Sequence, residues 1–194
     1  MVELIPGSYV TFLEPKEIFG RVAPLVVDLG CGDGSFLAAM ARLHPTHDFL
    51  GIERLAGRVR TTARKASELP NARVLRVETT YAVRYLLPPE SVAAFYLLFP
   101  DPWPKRRHHR RRIFTPDFIE AVLSSLSDGG ILHVATDQRD YFEEIERVAG
   151  NFSALQNIPW NGYEALPATT FEKRFVKDGA PIYRLELRKV SPPA

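Results

Sequence analysis

Pro24 opens an apolar run, Leu25-Val-Val-Asp-Leu29, that breaks into Gly30-Cys-Gly32-Asp-Gly34 and passes directly into a helical pattern, Phe36-Leu37-Ala-Ala-Met40-Ala-Arg-Leu43. A buried strand, a tight turn with three glycines and a helix form the opening unit of a doubly wound α/β sheet, and such turns sit where these sheets bind nucleotide-like ligands. The glycine spacing discriminates between ligands. A dinucleotide fingerprint, G-x-G-x-x-G, needs its third glycine at position 35, where this chain has Ser35; the third glycine is Gly34, which disfavours a nicotinamide cofactor. Bare backbone at the turn allows close approach of a ligand, and Asp28 at the strand end supplies a carboxylate suited to a cationic group such as an α-amine.

The alternation continues. Phe49-Leu50-Gly-Ile52 ends in Glu53, nineteen residues past Gly34, placed to accept hydrogen bonds from a pair of ribose hydroxyls. An Ala/Arg-rich helix is predicted from about residue 55 to 68, before Pro70. Strands at 73–77 and 92–98 flank a short helix near 81–87, and the run 92–98 is apolar throughout, as a central strand buried on both faces should be. Thr115-Pro116 predicts an N-cap with proline at N1, opening a helix that stops at Gly129-Gly130; a strand at 131–136 and a helix at 141–149 follow. Segments 170–176 and 182–188 both read as β-like and are joined through Asp178-Gly179. The expected fold is therefore α/β and Rossmann-like. It has a doubly wound, mostly parallel sheet of about seven strands with an antiparallel C-terminal hairpin, in one domain spanning 1–194.

Residues 99–112 read Phe-Pro-Asp-Pro-Trp-Pro-Lys-Arg-Arg-His-His-Arg-Arg-Arg. Three prolines make a stiff, non-helical loop that can hold Asp101 and Trp103, and Lys105, Arg106, Arg107, Arg110, Arg111 and Arg112 make a dense positive field fitted to a polyanion. The alternative for such a run is a solvated charge cluster. The whole chain carries only +2, from 25 cationic and 23 acidic residues, so the positive field is local. Cys31 is the only cysteine, which rules out an intramolecular disulfide and points to the cytoplasm. No apolar run approaches the roughly 20 residues that span a bilayer, and the N-terminus lacks signal-peptide features. The histidines form no metal-binding spacing, so no metal is expected.

The acid at the first strand end, the glycine set and the acid at the second strand end resemble the S-adenosylmethionine site of class I methyltransferases. Asp101-Pro102-Trp103-Pro104 holds the same parts, rearranged, as the [DNS]-P-P-[YFW] motif of DNA amino-methyltransferases. The longer run, Phe99-Pro-Asp-Pro-Trp-Pro-Lys-x-Arg-His-x-x-Arg-Arg, is similar to the signature of the bacterial tRNA (guanine-N7)-methyltransferases, the family that methylates guanosine 46 in the variable loop. Gly51-Ile-Glu53, Ala135-Thr-Asp137 and Thr169-Thr-Phe-Glu-Lys-Arg174 look like further family motifs, in the family order.

That resemblance implies S-adenosylmethionine as cofactor and tRNA as partner. Asp28, Gly30, Gly32, Gly34, Glu53 and Asp101 would line the cofactor site. Lys105, Asp137 and Thr169 to Glu172, including Phe171, would contact the tRNA or its target guanine, with Arg174 in the same motif; Arg106, Arg107, Arg110 and Arg111 would supply phosphate affinity. Two departures stand out. Tyr81-Ala82 occupies the place where the family usually has Asp or Asn before alanine, so the adenine contact falls to Tyr81 itself, to Thr80 or to a backbone amide. The segment before Asp28 is also shorter than the basic arm of many relatives.

Guanine N7 has a lone pair and no proton, so methylation there needs positioning more than a general base. Asp101 is the candidate catalytic residue, orienting the guanine and offsetting its developing charge. Asp137, the alternative for which is a helix N-cap, is a second acceptor, and Glu172 either shares that work or pairs with Arg174 on an exposed hairpin. Trp103 either stacks on a base or buttresses its loop, the second being favoured. A methyltransferase for another substrate and a catalytically silent RNA-binding protein are the competing readings, and a monomer or a weak homodimer fits equally well.

Overall fold

The computed structural model describes residues 2–159 and 166–191. In chain order the elements are β1 (Glu3–Leu4), α1 (Pro15–Phe19), β2 (Leu25–Leu29), α2 (Ser35–Leu43), β3 (Asp48–Glu53), α3 (Ala56–Lys65), β4 (Ala72–Arg76), α4 (Thr79–Tyr85), β5 (Val92–Leu98), a 3-10 turn (Arg106–Arg111), α5 (Pro116–Ser125), β6 (Leu126–Thr136), α6 (Arg139–Ala149), β7 (Leu155–Ile158), α7 (Thr170–Lys177) and β8 (Tyr183–Lys189). The strands form one sheet in the order β1-β4-β3-β2-β5-β6-β8-β7. Pairings from β1 through β6 are parallel and those of β8 with β6 and β7 are antiparallel.

Both faces of the parallel part are covered. Val27, Leu50, Phe95 and Leu132 share one core with Val83 of α4, Phe118 and Val122 of α5, and Tyr141 and Ile145 of α6. Val26, Phe49 and Tyr96 pack on the opposite face with Phe36, Leu37 and Met40 of α2. Burial on two sides explains why β2, β3 and β5 are apolar almost without interruption, and why Asp28 and Glu53 stand out as buried acids.

Three expectations need correction. The sheet has eight strands, because Glu3–Leu4 adds a short parallel edge to β4 and Leu155–Ile158 an antiparallel edge to β8, while 170–176 leaves it. Residues 170–177 form a helix, not the first strand of a hairpin. The Thr169 hydroxyl accepts the N–H of Glu172 at 2.9 Å as an N-cap. Gly179, at φ +69°, then closes the far end, with the Ala180 N–H donating to the Phe175 carbonyl at 2.9 Å. The antiparallel partners of β8 are β6 and β7 instead. Finally, α5 stops at Ser125, and Gly129-Gly130 lies inside β6. There the pairing with β5 shifts register, and a Cβ on Gly130 would come within 2.8 Å of the Ser127 carbonyl. These glycines make a strand irregularity, not a helix stop.

Candidate active site

The strand order reverses between β2 and β5, since the chain winds outward from β2 through β3 and β4 and then returns to β5 on the other side. Loops leaving the carboxyl ends of these strands diverge there and open a crevice. A cavity of about 1010 Å³ occupies it, lined among others by Asp28, Gly30, Gly32, Glu53, Asp101, Trp103, Arg111, Asp137, Thr169 and Phe171. Residues as far apart in sequence as 28 and 171 thus meet around one space.

Asp28 and Glu53 are buried side by side at the ends of β2 and β3. Burial, reinforced by the charge of Glu53, pushes the Asp28 carboxyl up to about 7. Its Oδ2 has no hydrogen-bond partner among the described residues. A buried carboxyl with one unpartnered oxygen beside a second acid is a site prepared for a cation or a strong donor, and the α-ammonium of S-adenosylmethionine is such a group. Glu53 Oε1 accepts the Leu55 N–H at 2.8 Å, while Oε2 lies 3.7 Å from Arg58. That arrangement fits acceptance of the two ribose hydroxyls, and the residues present therefore suit the cofactor.

The three turn glycines do different work. A Cβ on Gly30 would meet nothing within 4 Å and one on Gly32 only the Gly30 carbonyl at 3.9 Å, so their bareness faces the cavity. Gly34 does not line the cavity: a Cβ there would lie 2.5 Å from Thr62 Cγ2, so this glycine lets α3 pack against the turn. Cys31 is buried, with burial pushing its thiol well above the ordinary range and Asp28 adding to the shift.

The loop after β5 is held in an unusual backbone. Phe99 and Trp103 have φ of +54° and +43°, a region that bulky side chains occupy only under constraint. The constraint is visible. The Phe99 N–H donates to the Ala135 carbonyl at 2.7 Å, and the Arg111 guanidinium sits 4.9 Å from the centre of the Trp103 ring. Arg112, grouped in the sequence with the surface cations, is instead buried: its Nε donates to the Pro102 carbonyl at 2.8 Å, Nη2 to Asp140 Oδ2 at 2.6 Å and Nη1 to Glu144. With its charge matched by two carboxylates of α6, Arg112 is an anchor for the loop and not a polyanion contact. Asp101, Trp103 and Arg111 reach the cavity, whereas Lys105, Arg106, Arg107 and Arg110 project from the exposed 3-10 segment beyond its rim.

Helix α7 lies across the opening, with Thr169, Thr170, Phe171 and Phe175 on the cavity. The Phe175 ring packs 5.4 Å from that of Phe99. Thr170 Oγ1 donates to Asp33 Oδ2 at 3.1 Å, and Lys65 Nζ donates to the same oxygen at 2.7 Å. Burial opposes ionisation of Asp33, but the bonds from Lys65, Ser35 and Thr170 outweigh it and hold the carboxyl down at about 2. Thr170 falls within the expected segment 169–172, whereas sequence reasoning misses Phe175 and Asp33; the T-x-x-E capping box at Thr169–Glu172 is the available signal that a helix faces the site.

The remaining candidates fall off the cavity or take other partners. Glu172 pairs with Arg184 of β8 and not with Arg174, which lies 3.8 Å from Asp178. Asp137 lines the cavity and accepts from Gln138 Nε2 at 2.6 Å, while the α6 cap position belongs to Gln138. Thr80 and Tyr81 do not line the cavity: both N–H groups donate to Glu78, and the Tyr81 hydroxyl donates to the Tyr9 carbonyl at 2.8 Å. Glu78 and Thr79 line the cavity in their stead.

A parallel sheet with this switch point, a glycine turn between two buried acids and a proline-framed acid facing them define a class I S-adenosylmethionine-dependent methyltransferase. Residues 22–185 match the family described as "Putative methyltransferase". The tRNA (guanine-N(7)-)-methyltransferase of Leifsonia xyli subsp. xyli is 40% identical over 184 residues, covering 91% of this chain and 81% of that protein. Its counterpart in Alkalilimnicola ehrlichii is 36% identical over 183 residues, covering 91% and 77%. Among solved structures, the aminoglycoside resistance methyltransferase NpmB1 shares the fold at a TM-score of 0.62 and 18% identity, covering 92% of this chain and 94% of that one. The chain belongs to the tRNA (guanine-N7-)-methyltransferase family.

Proposed function

We propose that this protein transfers the methyl group of S-adenosylmethionine to N7 of guanosine 46 in the variable loop of tRNA. It would act in the cytoplasm as one domain, as a monomer or weak homodimer. One observation carries the reading: Asp101, on a proline-framed loop continuous with the basic run 105–111, lines the same cavity as Asp28, with its unpartnered Oδ2, and Glu53. The relatives' names supply the substrate.

The cofactor supplies an electrophilic methyl on a sulfonium. Asp28 holds the cationic end of the cofactor and Glu53 the ribose, which fixes where the methyl lies. Asp101 and Asp137 accept hydrogen bonds from the guanine edge, bringing N7 into line, and the Asp101 carboxylate offsets the positive charge that the purine gains. No proton needs removing from N7. Thr169 and Phe171 cover the site and exclude water, while Lys105, Arg106, Arg107, Arg110 and Arg111 hold phosphates without reading sequence.

The test is transfer of labelled methyl from S-adenosylmethionine to unmodified tRNA, with nuclease digestion to identify the product and primer extension to place it. The expected product is 7-methylguanosine at position 46. A different methylated base, or label in ribosomal RNA and none in tRNA, contradicts the proposal.

A further inference from the structure

Helix α3 carries its charge differently from an ordinary solvated face. Residues 54–67 read Arg-Leu-Ala-Gly-Arg-Val-Arg-Thr-Thr-Ala-Arg-Lys-Ala-Ser, five cations and no acid, in a chain whose cations and acids nearly balance at 25 and 23. Val59 and Thr62 bury one stripe of the helix, while Arg54, Arg58, Arg60 and Arg64 are exposed. Helix α6 shows the usual pattern: Arg139 pairs with Glu143 at i,i+4, and further acids serve Arg112. On α3 the i,i+4 neighbours Arg60 and Arg64 are like charges, which weaken the helix. Arg58 has Glu53 at 3.7 Å and Lys65 has Asp33, but Arg54, Arg60 and Arg64 have no carboxylate partner among the described residues.

The position of this face gives the charge a purpose. Arg54 and Arg58 line the mouth of the active-site cavity, as does Arg111 from the loop after β5. Because β3 and β5 lie on opposite sides of β2, the two cationic surfaces flank the cavity. A nucleotide within an RNA chain has a phosphate on each side, so a strand that delivers its base to the cavity must leave over both rims. We infer that the exposed face of α3, formed by Arg58, Arg60 and Arg64 and extended by Arg54 just before the helix, is a second docking surface for the tRNA backbone. It receives the strand on the β3 side while residues 105–111 receive it on the β5 side. The inference rests on the tRNA reading above. Such contacts add affinity and register without sequence preference, and the planar forks of arginine suit them.

The test uses the full chain carrying Arg60→Ala and Arg64→Ala together, since neither residue lines the cavity. The tRNA dissociation constant is expected to rise on the order of tenfold at 0.15 M salt, and the slope of log K against log salt to shrink by about two. S-adenosylmethionine affinity and kcat at saturating tRNA should not change, the melting temperature should not fall because the pair of like charges is relieved, and the double Lys replacement should keep the parental slope. An unchanged tRNA affinity and slope, in a preparation whose parent methylates tRNA, overturns the second surface and leaves the activity standing. A parent that neither binds nor methylates tRNA overturns both.

Discussion

The Nε of Arg112 donates to the Pro102 carbonyl at 2.8 Å, and this bond ties the loop carrying Asp101 to helix α6. The same guanidinium engages Asp140 and Glu144, and its carbon lies 4.6 Å from the centre of the Tyr141 ring. One side chain, 1% exposed, therefore joins the substrate loop, the helix after β6 and the core beneath them.

Arg112→Lys keeps a charge but loses the fork. It should cost about 2 to 3 kcal/mol in urea denaturation, through lost charge-assisted hydrogen bonds whose acidic partners still reach water. In the folded fraction kcat should fall more than S-adenosylmethionine affinity, because the loop moves while Asp28 and Glu53 do not. Equal loss of both, or of neither, would show that Arg112 does not position Asp101.

Asp28 makes stability depend on pH. Its carboxyl sits at about 7 in the folded chain against the ordinary 3.8 of an exposed aspartate, so between roughly pH 4 and 7 the folded state binds more protons than the unfolded one. Stability from this group is therefore full below pH 4 and declines as pH rises to about 7, by about 4 kcal/mol at most. Asp28→Asn should remove that decline in thermal melts of the cofactor-free protein while weakening S-adenosylmethionine binding at least tenfold. Parallel pH–stability curves for parent and variant would refute it.

Cofactor binding at pH 6 should release a proton from Asp28, because a cation beside the carboxylate lowers its pKa. Calorimetry in buffers of different ionisation enthalpy measures this directly. Release should vanish in Asp28→Asn and fade above pH 8.

Gly30→Ala and Gly34→Ala should separate binding from folding. The first places its methyl in open cavity space at φ +74°, costing about 1 kcal/mol of stability while blocking close approach of the cofactor. The second drives a methyl to 2.5 Å from Thr62 at φ +72° and should cost about 3 kcal/mol. Melting curves and cofactor titrations on the two variants should rank them in opposite orders.

The parallel core and the carboxyl-edge residues are legible in sequence because they obey local rules: strand-length apolar runs, glycines at a turn, Thr115 as N-cap before Pro116. What escapes depends on long-range partners. Arg112 cannot be told from Arg111 along the chain, since only Asp140, Glu144 and Pro102 bury it. Segment 170–176 looks extended because Thr170, Phe171, Phe175 and Val176 are β-favouring residue types, while the i,i+4 spacing of Phe171 and Phe175, with Thr169 and Gly179 at the ends, carries the helix signal. Position along the chain assigns Tyr81 to the adenine, yet its hydroxyl is committed to Tyr9, a contact across 72 residues that no spacing reveals.

The most direct test of the account is the single-turnover rate of methyl transfer to tRNA by Asp101→Asn, with cofactor and tRNA affinities measured on the same preparation. The account predicts a rate at least about 100-fold below the parent, the range for losing one oriented electrostatic contact, with both affinities within a few-fold. A rate within about threefold of the parent would remove Asp101 from the chemistry and contradict the account.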